Sequence, residues 1–307
     1  MRLRQIITEY ADQHDLVAGV CSADPILSKE TLTAIPFSAA TERERRDPAM
    51  LLPGAKSIIV IGQGYAKTME RGDADVGGAR RGVFSAMAVG EDYHISVARH
   101  LAALRDLLLT EAAFESVAHV DNGPLCERAF AMRAGLGFQG RNQYVISPWF
   151  GAFFNLGLLV TTLAIPGDVA NAEKTDTLAQ ECADCGRCEA ACPGGALKDG
   201  RFDYTRCAAY ISQKKGALSP WEEEILGQAL YGCDICAQVC PHNHGKPAEV
   251  VALEAMMPRV ADIESLTNKS FQAQYGQTAI GWRGAAVLKR NAANAVRWYK
   301  TKQKGGE

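Results

Sequence analysis

Apolar and polar positions alternate between two periods along the first half of the chain. MRLRQIITEYADQHD spaces its apolar residues at helical intervals with acids among them, which predicts an amphipathic surface helix. SIIVIG at 57 to 62 is an unbroken apolar run and predicts a buried strand. DYHISVARHLAALRDLLLTEAAF at 92 to 114 predicts a long helix, and ESVAHVD at 115 to 121 a strand. PLCERAFAMRA at 124 to 134 predicts a helix begun by Pro124 and stopped by Gly135, with QYVIS and NLGLLVTTLAI following as strands. Helices and strands in alternation predict an α/β domain. No internal repeat is visible beyond two cysteine runs, and VANAEKTDTLAQE at 169 to 181 is the candidate linker.

Composition adds bounds. With 307 residues, 47% apolar and 22% charged, the chain can bury one large core or two modest ones. The N-terminal pattern lacks the apolar core of a signal peptide, and no apolar run is long enough to span a bilayer, so export and membrane insertion are not expected and a cytoplasmic protein is. Ten cysteines in such a chain argue against a disulfide framework. Eight fall between 182 and 240, whereas Cys21 and Cys126 are isolated and expected to pack as small apolar side chains.

The eight carry the chemistry. CADCGRCEAACP sets Cys182, Cys185, Cys188 and Cys192 at spacings of two, two and three before Pro193. That is the bacterial ferredoxin run, in which three thiolates grip one 4Fe-4S cube and the fourth reaches to a second. Zinc is the competitor, but structural zinc favours two separated C-x2-C pairs. A second run, YGCDICAQVCP, supplies Cys233, Cys236 and Cys240, with Leu230 where a fourth cysteine would stand. Cys207 is the one unassigned cysteine in the window. The crossover rule then assigns Cys182, Cys185, Cys188 and Cys240 to cluster one, and Cys192, Cys207, Cys233 and Cys236 to cluster two. Two 4Fe-4S clusters with interleaved ligands make an electron relay, which needs an endpoint in the preceding domain.

GLGFQG at 135 to 140 satisfies the G-x-G-x-x-G pattern in the wrong setting. It follows a helix and opens a strand, and no acid lies between Glu127 and Asp168 to hold a ribose. Its glycines are expected to stop the helix and make a turn.

RRGVFSAMAVGEDYH (80 to 94), VDNGPLCERAFAMRAGLGFQGRN (120 to 142), RCAAYISQKKG (206 to 216) and LYGCDICAQVCPHN (230 to 243) together resemble the epoxyqueuosine reductase family. The resemblance runs from about residue 40 to 300. It implies a nitroreductase-like corrinoid-binding domain of α/β type (1–175), a two-cluster ferredoxin-like domain (176–248) and a short helical, basic C-terminal tail (249–307). It also implies cobalamin (B12), and reduction of epoxyqueuosine to queuosine in tRNA with electrons from an external one-electron donor such as flavodoxin or ferredoxin. The motif matched by VDNGPL makes Asp121 the catalytic acid, expected in an apolar pocket that keeps its proton near neutral pH; capping of the helix after Pro124 is the competing role. Arg45, Arg141, Asn142 and Lys215 match cofactor-side positions, against the plainer reading of solvated charges. His94 is not in the signature that places histidine on cobalt, so cobalt is expected to keep an open face, and His242 and His244 are expected to be solvated.

The chain departs from the family pattern in three places. Ser85 stands where some members carry cysteine, Ala209 stands where serine is common, and only the first helix of the family's tRNA-gripping repeats is matched. Net charge is −2, so RNA attraction must be local. Residues 265 to 306 hold eight Lys or Arg and no acid, with Trp298 and Tyr299 among them, which suits an anticodon stem-loop; a solvated face accounts for the same residues. Two rival functions remain at this level: a related corrinoid reductase of a small molecule, of reductive dehalogenase type, and a non-catalytic electron carrier. Nothing in the sequence argues for an oligomer, and a monomer is expected.

Overall fold

The computed structural model describes residues 2–27, 40–69, 79–121, 123–167 and 179–304. Most of the candidate linker, 169 to 178, lies outside them. The chain forms two compact units: 1–64 with 94–185 and 241–246, and 65–93 with 186–240 and 247–307. This differs from the sequential division at 175 and 248, because each unit takes stretches that are far apart in the chain.

The first unit is organised by a four-stranded sheet of β1 (Leu16–Ser22), β2 (Ser57–Gly64), β3 (Ser116–His119) and β4 (Phe154–Thr161), in the order β1-β2-β4-β3. Every pairing is antiparallel, a detail that the helix-strand alternation does not determine. β2 is buried along six consecutive residues from Ser57 to Gly62, as its unbroken apolar run requires for a strand covered on both faces. α1 (Arg2–Gln13) precedes β1. α2 (Tyr93–Leu109) buries Val97, Leu101, Leu104 and Leu108 at helical spacing, and Gly157 on β4 leaves room for Val97 and Leu101. α3 (Glu127–Arg133) joins a core with Ile58, Val60, Leu158 and Val160 through Phe130 and Ala131. Cys21 and Cys126 are buried, as expected of structural thiols.

Gly135, at φ 76°, follows α3, and the chain then turns into a hairpin of Phe138–Gln139 with Val145–Ile146. GLGFQG is thus a helix stop and turn. α3 starts at Glu127, with Cys126 as its N-cap, three residues later than Pro124 suggested. The Cys126 N–H is drawn instead to the carbonyl of Arg45 (2.9 Å).

The second unit pairs Val83–Phe84 with Ala229–Tyr231, and Lys67–Met69 with Glu249–Val251, both in parallel. Its core collects Phe84, Leu230, Val260, Ile263 and Phe271 with Leu288, Ala292 and Ala295 of α4 (Ala285–Lys304). α4 is therefore a central element of this unit and not an appended tail, because its buried face carries Leu288, Ala292 and Ala295 into the core beside the buried Asn291 and Asn294, which donate to backbone carbonyls. Leu230, fully buried, fills core volume where the ferredoxin pattern would put a ligand. Among the described residues no helix is long and apolar enough to cross a membrane.

Candidate functional site

In the first unit a cluster of titratable groups gathers at the end of β3. The chain leaves His119 and reaches Asp121 in a left-handed conformation, φ 52°, which a residue with a Cβ adopts only when held there. The hold is visible: the Asp121 N–H donates to Glu127 Oε1 at 2.6 Å, from the first residue of α3. His94, near the start of α2, places Nε2 3.2 Å from Asp121 Oδ2. The Asp121 side chain is 51% exposed, so the expected apolar enclosure falls on its neighbours instead. His119 is 1% and Glu127 17% exposed, with Nε2 and Oε1 3.6 Å apart, and His119 Nε2 has no hydrogen-bond partner among the described residues.

Burial sets the protonation of that pair. It pushes Glu127 up to about 8, with the Asp121 carboxylate adding to the rise; the Asp121 N–H, His94 and Arg128 pull the other way without prevailing. Burial pushes His119 down to about 4, assisted by the positive charge of Arg45 and opposed by Asp121 and the Leu125 backbone. Near neutral pH the imidazole is uncharged and Glu127 largely keeps its proton. An exposed acid is thus backed by a largely shielded neutral pair. Cys126 holds the N-cap position of α3 without a side-chain cap bond.

The other first-unit candidates lie in two places. Arg45, in the short helix Glu42–Arg46, belongs to the Asp121 cluster through its charge on His119. Arg141 and Asn142 follow the glycine turn. The Arg141 N–H points at Cys182 Sγ (3.5 Å) and its guanidinium donates to the Ala183 carbonyl (3.0 Å), so Arg141 braces the first cysteine pair. Asn142 is buried and accepts from the Tyr144 N–H. His242 is not solvated as expected: its side chain is 8% exposed, packed edge-on to Phe138 and facing Glu181.

In the second unit, Cys192, Cys207, Cys233 and Cys236 share one electrostatic neighbourhood: Cys192 raises Cys207, Cys192 and Cys207 raise Cys233, and all three raise Cys236. Burial is the larger cause, pushing Cys233 up to about 12 and Cys207 and Cys236 upward as well. Thiols shifted upward in this way need a strong positive charge among them to act as thiolates, and iron would supply it. Backbone N–H groups already point at the sulfurs: Ala196 donates to Cys192 (3.3 Å), Ala209 and Tyr210 to Cys207, and Ile235 to Cys233. The donor set fits a 4Fe-4S cluster, whose potential such bonds tune. Of the cluster-one set, Cys188 and Cys240 lie in this unit, and Cys182 and Cys185 in the first.

Ser85 does not present its hydroxyl to an open pocket. It is 4% exposed and donates to Asp234 Oδ1 (2.5 Å), whose other oxygen accepts from the Ala86 N–H (2.6 Å). Asp234 lies between Cys233 and Cys236 in the chain, so Ser85 straps the cysteine loop in place. Gly232, at φ 71° just before Cys233, would put a Cβ 2.5 Å from the Ser85 Cβ. Ala209 lies in the helix Ala208–Gln213, where its carbonyl accepts from Ser212 and Gln213, and Lys215 is exposed just beyond it.

The basic residues of α4 are largely engaged within the unit. Arg290 donates to the carbonyls of Ile211, Ser212, Lys214 and Gly216, and Lys289 to that of Leu266. Arg297 pairs with Glu223, and the Tyr299 hydroxyl is bonded to Arg81 and Gln228. Lys300 and Lys302 are exposed.

Comparison with known proteins gives a consistent pattern. Residues 45–122 match the family described as "Epoxyqueuosine reductase QueG, DUF1730", and 181–243 the "4Fe-4S double cluster binding domain". An epoxyqueuosine reductase of Bacillus cereus is 34% identical over 86% of this chain and 70% of its own length. That of Staphylococcus aureus is 34% identical over 96% and 80%. The solved Streptococcus thermophilus enzyme is 32% identical with a TM-score of 0.86, over 96% of this chain and 81% of that one. An epoxyqueuosine reductase solved with an epoxyqueuosine-modified tRNA-Tyr stem loop is 30% identical with a TM-score of 0.88, over 97% and 82%. The Bacillus subtilis enzyme, 30% identical with a TM-score of 0.87, is known with its catalytic aspartate loop swung out of the active site.

Proposed function

This chain belongs to the epoxyqueuosine reductase family, and from that premise we propose how its residues serve the reduction of epoxyqueuosine to queuosine in tRNA. It is an oxidoreductase that works with two 4Fe-4S clusters and cobalamin. When bound, the clusters pass electrons singly and the corrin's cobalt supplies the reducing chemistry at the epoxide. The small-molecule and carrier readings give way to this one.

Converting an epoxide to an alkene and water consumes two electrons and two protons, and the chain's own residues manage the protons. Asp121 is the general acid that protonates the departing oxygen. His94 orients its carboxyl, and Arg45 lends positive charge beside it. Cys192, Cys207, Cys233 and Cys236 hold one cluster, and Cys182, Cys185, Cys188 and Cys240 the other. Of the histidines, His94 pairs with Asp121, His119 lies buried against Glu127, and His14 and His100 pack with Tyr10. Arg141, Asn142 and Lys215 are the corrin's proposed polar neighbours.

The substrate is a tRNA anticodon stem-loop, as the complex of the relative supports. Among the described side chains of α4, exposed Lys300 and Lys302 are the basic residues left to meet phosphates. An external one-electron carrier and a cytoplasmic location complete the reading. The observation that carries it is an acid held by its backbone in a left-handed turn with its carboxyl half exposed. The test is Asp121→Asn in anaerobically purified, fully loaded protein with an epoxyqueuosine stem-loop. Turnover falls at least a hundredfold while the clusters still reduce, consistent with loss of a general acid; turnover at the parent rate would refute the assignment.

A further inference from the structure

We infer that Glu127 is a positioning residue for this reaction: by accepting the Asp121 N–H it latches the left-handed turn that aims the acid. The inference rests on the reading of Asp121 as that acid. A glutamate in the first turn of a helix ordinarily serves the helix's own N-terminus. Glu127 turns back six residues to Asp121 instead, and its side chain is only 17% exposed although a carboxyl is costly to bury. Asp121 is fixed at two points: its backbone by Glu127 and its carboxylate by His94. Breaking the first releases the φ 52° conformation, because an aspartate gains by relaxing to negative φ. The loop carrying the acid has a second position in the Bacillus subtilis relative, and in this chain the latch decides how long the loop stays in.

The latch responds to protons, since its carboxyl faces Asp121 and His119 at the end of β3, His94 from α2, Arg128 from α3, and the charge of Arg45 behind His119. A charged acceptor holds an N–H more strongly than a neutral one. The loop is therefore gripped harder in mildly alkaline solution, where Glu127 ionises.

The Asp121 amide can be watched directly. Val120-Asp121 is the one Val-Asp pair in the sequence, so carbonyl-13C valine with 15N aspartate isolates a single signal. In the parent this signal moves with a midpoint near pH 8. In Glu127→Gln, which keeps an acceptor but no titrating group, it stays downfield and does not titrate, and kcat stays within about threefold of the parent. In Glu127→Ala the signal moves upfield, and kcat falls roughly tenfold to a hundredfold while KM for the stem-loop stays within about threefold, as expected of lost positioning. An amide that does not move with pH in the parent, or a Glu127→Ala protein with parental signal and kcat, overturns the inference. Should the alanine variant not fold, the parent and Gln titrations still decide. Parental turnover by Asp121→Asn would instead sink the reading of the acid itself, whatever Glu127 does.

Discussion

Arg290 offers the sharpest test of what the basic helix α4 is for. Its guanidinium donates to the carbonyls of Lys214 (2.5 Å) and Gly216 (2.8 Å), with longer bonds to Ile211 and Ser212, and so closes the C-terminal end of the helix that follows ligand Cys207. Replacing it with methionine keeps the apolar stem and removes the fork. Hydrogen bonds to a charged group contribute about 1.5–3 kcal/mol each, and those carbonyls would have water as their replacement at the exposed Gly216 side. Counting the two short bonds and discounting the more exposed one gives a loss of about 3 kcal/mol. That corresponds to a fall of roughly 6–12 °C in the melting temperature of a domain this size. The assay is thermal unfolding of the cluster-loaded protein followed by circular dichroism, beside the salt dependence of stem-loop affinity. If Arg290 met a phosphate instead, the slope of log affinity against log salt would fall by about one while the melting temperature held. That second pattern would refute the structural role assigned to α4.

Two further outcomes follow from the packing. Gly232→Ala forces a Cβ onto Ser85 and a side chain into positive φ, so iron content should drop from about eight to about four per chain as cluster two is lost, while cluster one persists. The second outcome concerns pH. An unfolded chain releases the Glu127 proton near 4.5, whereas the folded chain keeps it until about 8, so this group's contribution to stability is full at low pH and declines across that interval. His119, held down to about 4 from 6.5, contributes stability that is complete above 6.5 and is lost as the pH falls below it. Between pH 6.5 and 8 Glu127 acts alone of the pair, so urea midpoints should decline over that window in the parent and flatten in Glu127→Gln.

Much of this was legible in the chain. Cysteine spacing is a local property, so both cysteine runs are legible in the chain, and burial raises Cys207, Cys233 and Cys236 in the second unit. Strand β2 and helix α2 announce themselves because burial on both faces, or along one stripe, leaves a period in the sequence. Glu127 and His119 leave no such mark. Their role arises when the turn at Asp121 brings a helix start back to a strand end, and no fixed spacing encodes that. Arginines on α4 read alike whether they meet phosphates or carbonyls, and only packing separates the two. The interleaving of the units was also hidden, because composition does not change at residues 64 or 93.

Ser85 and Asp234 are 149 positions apart, yet the strap between them steadies the loop of Cys233 and Cys236, and Arg290 braces the neighbouring helix from later still. During synthesis the serine leaves the ribosome long before its aspartate, and the brace after both. The thiol nest of cluster two thus stays unfinished until residue 290 has emerged, and whatever delivers iron and sulfide must act after that point.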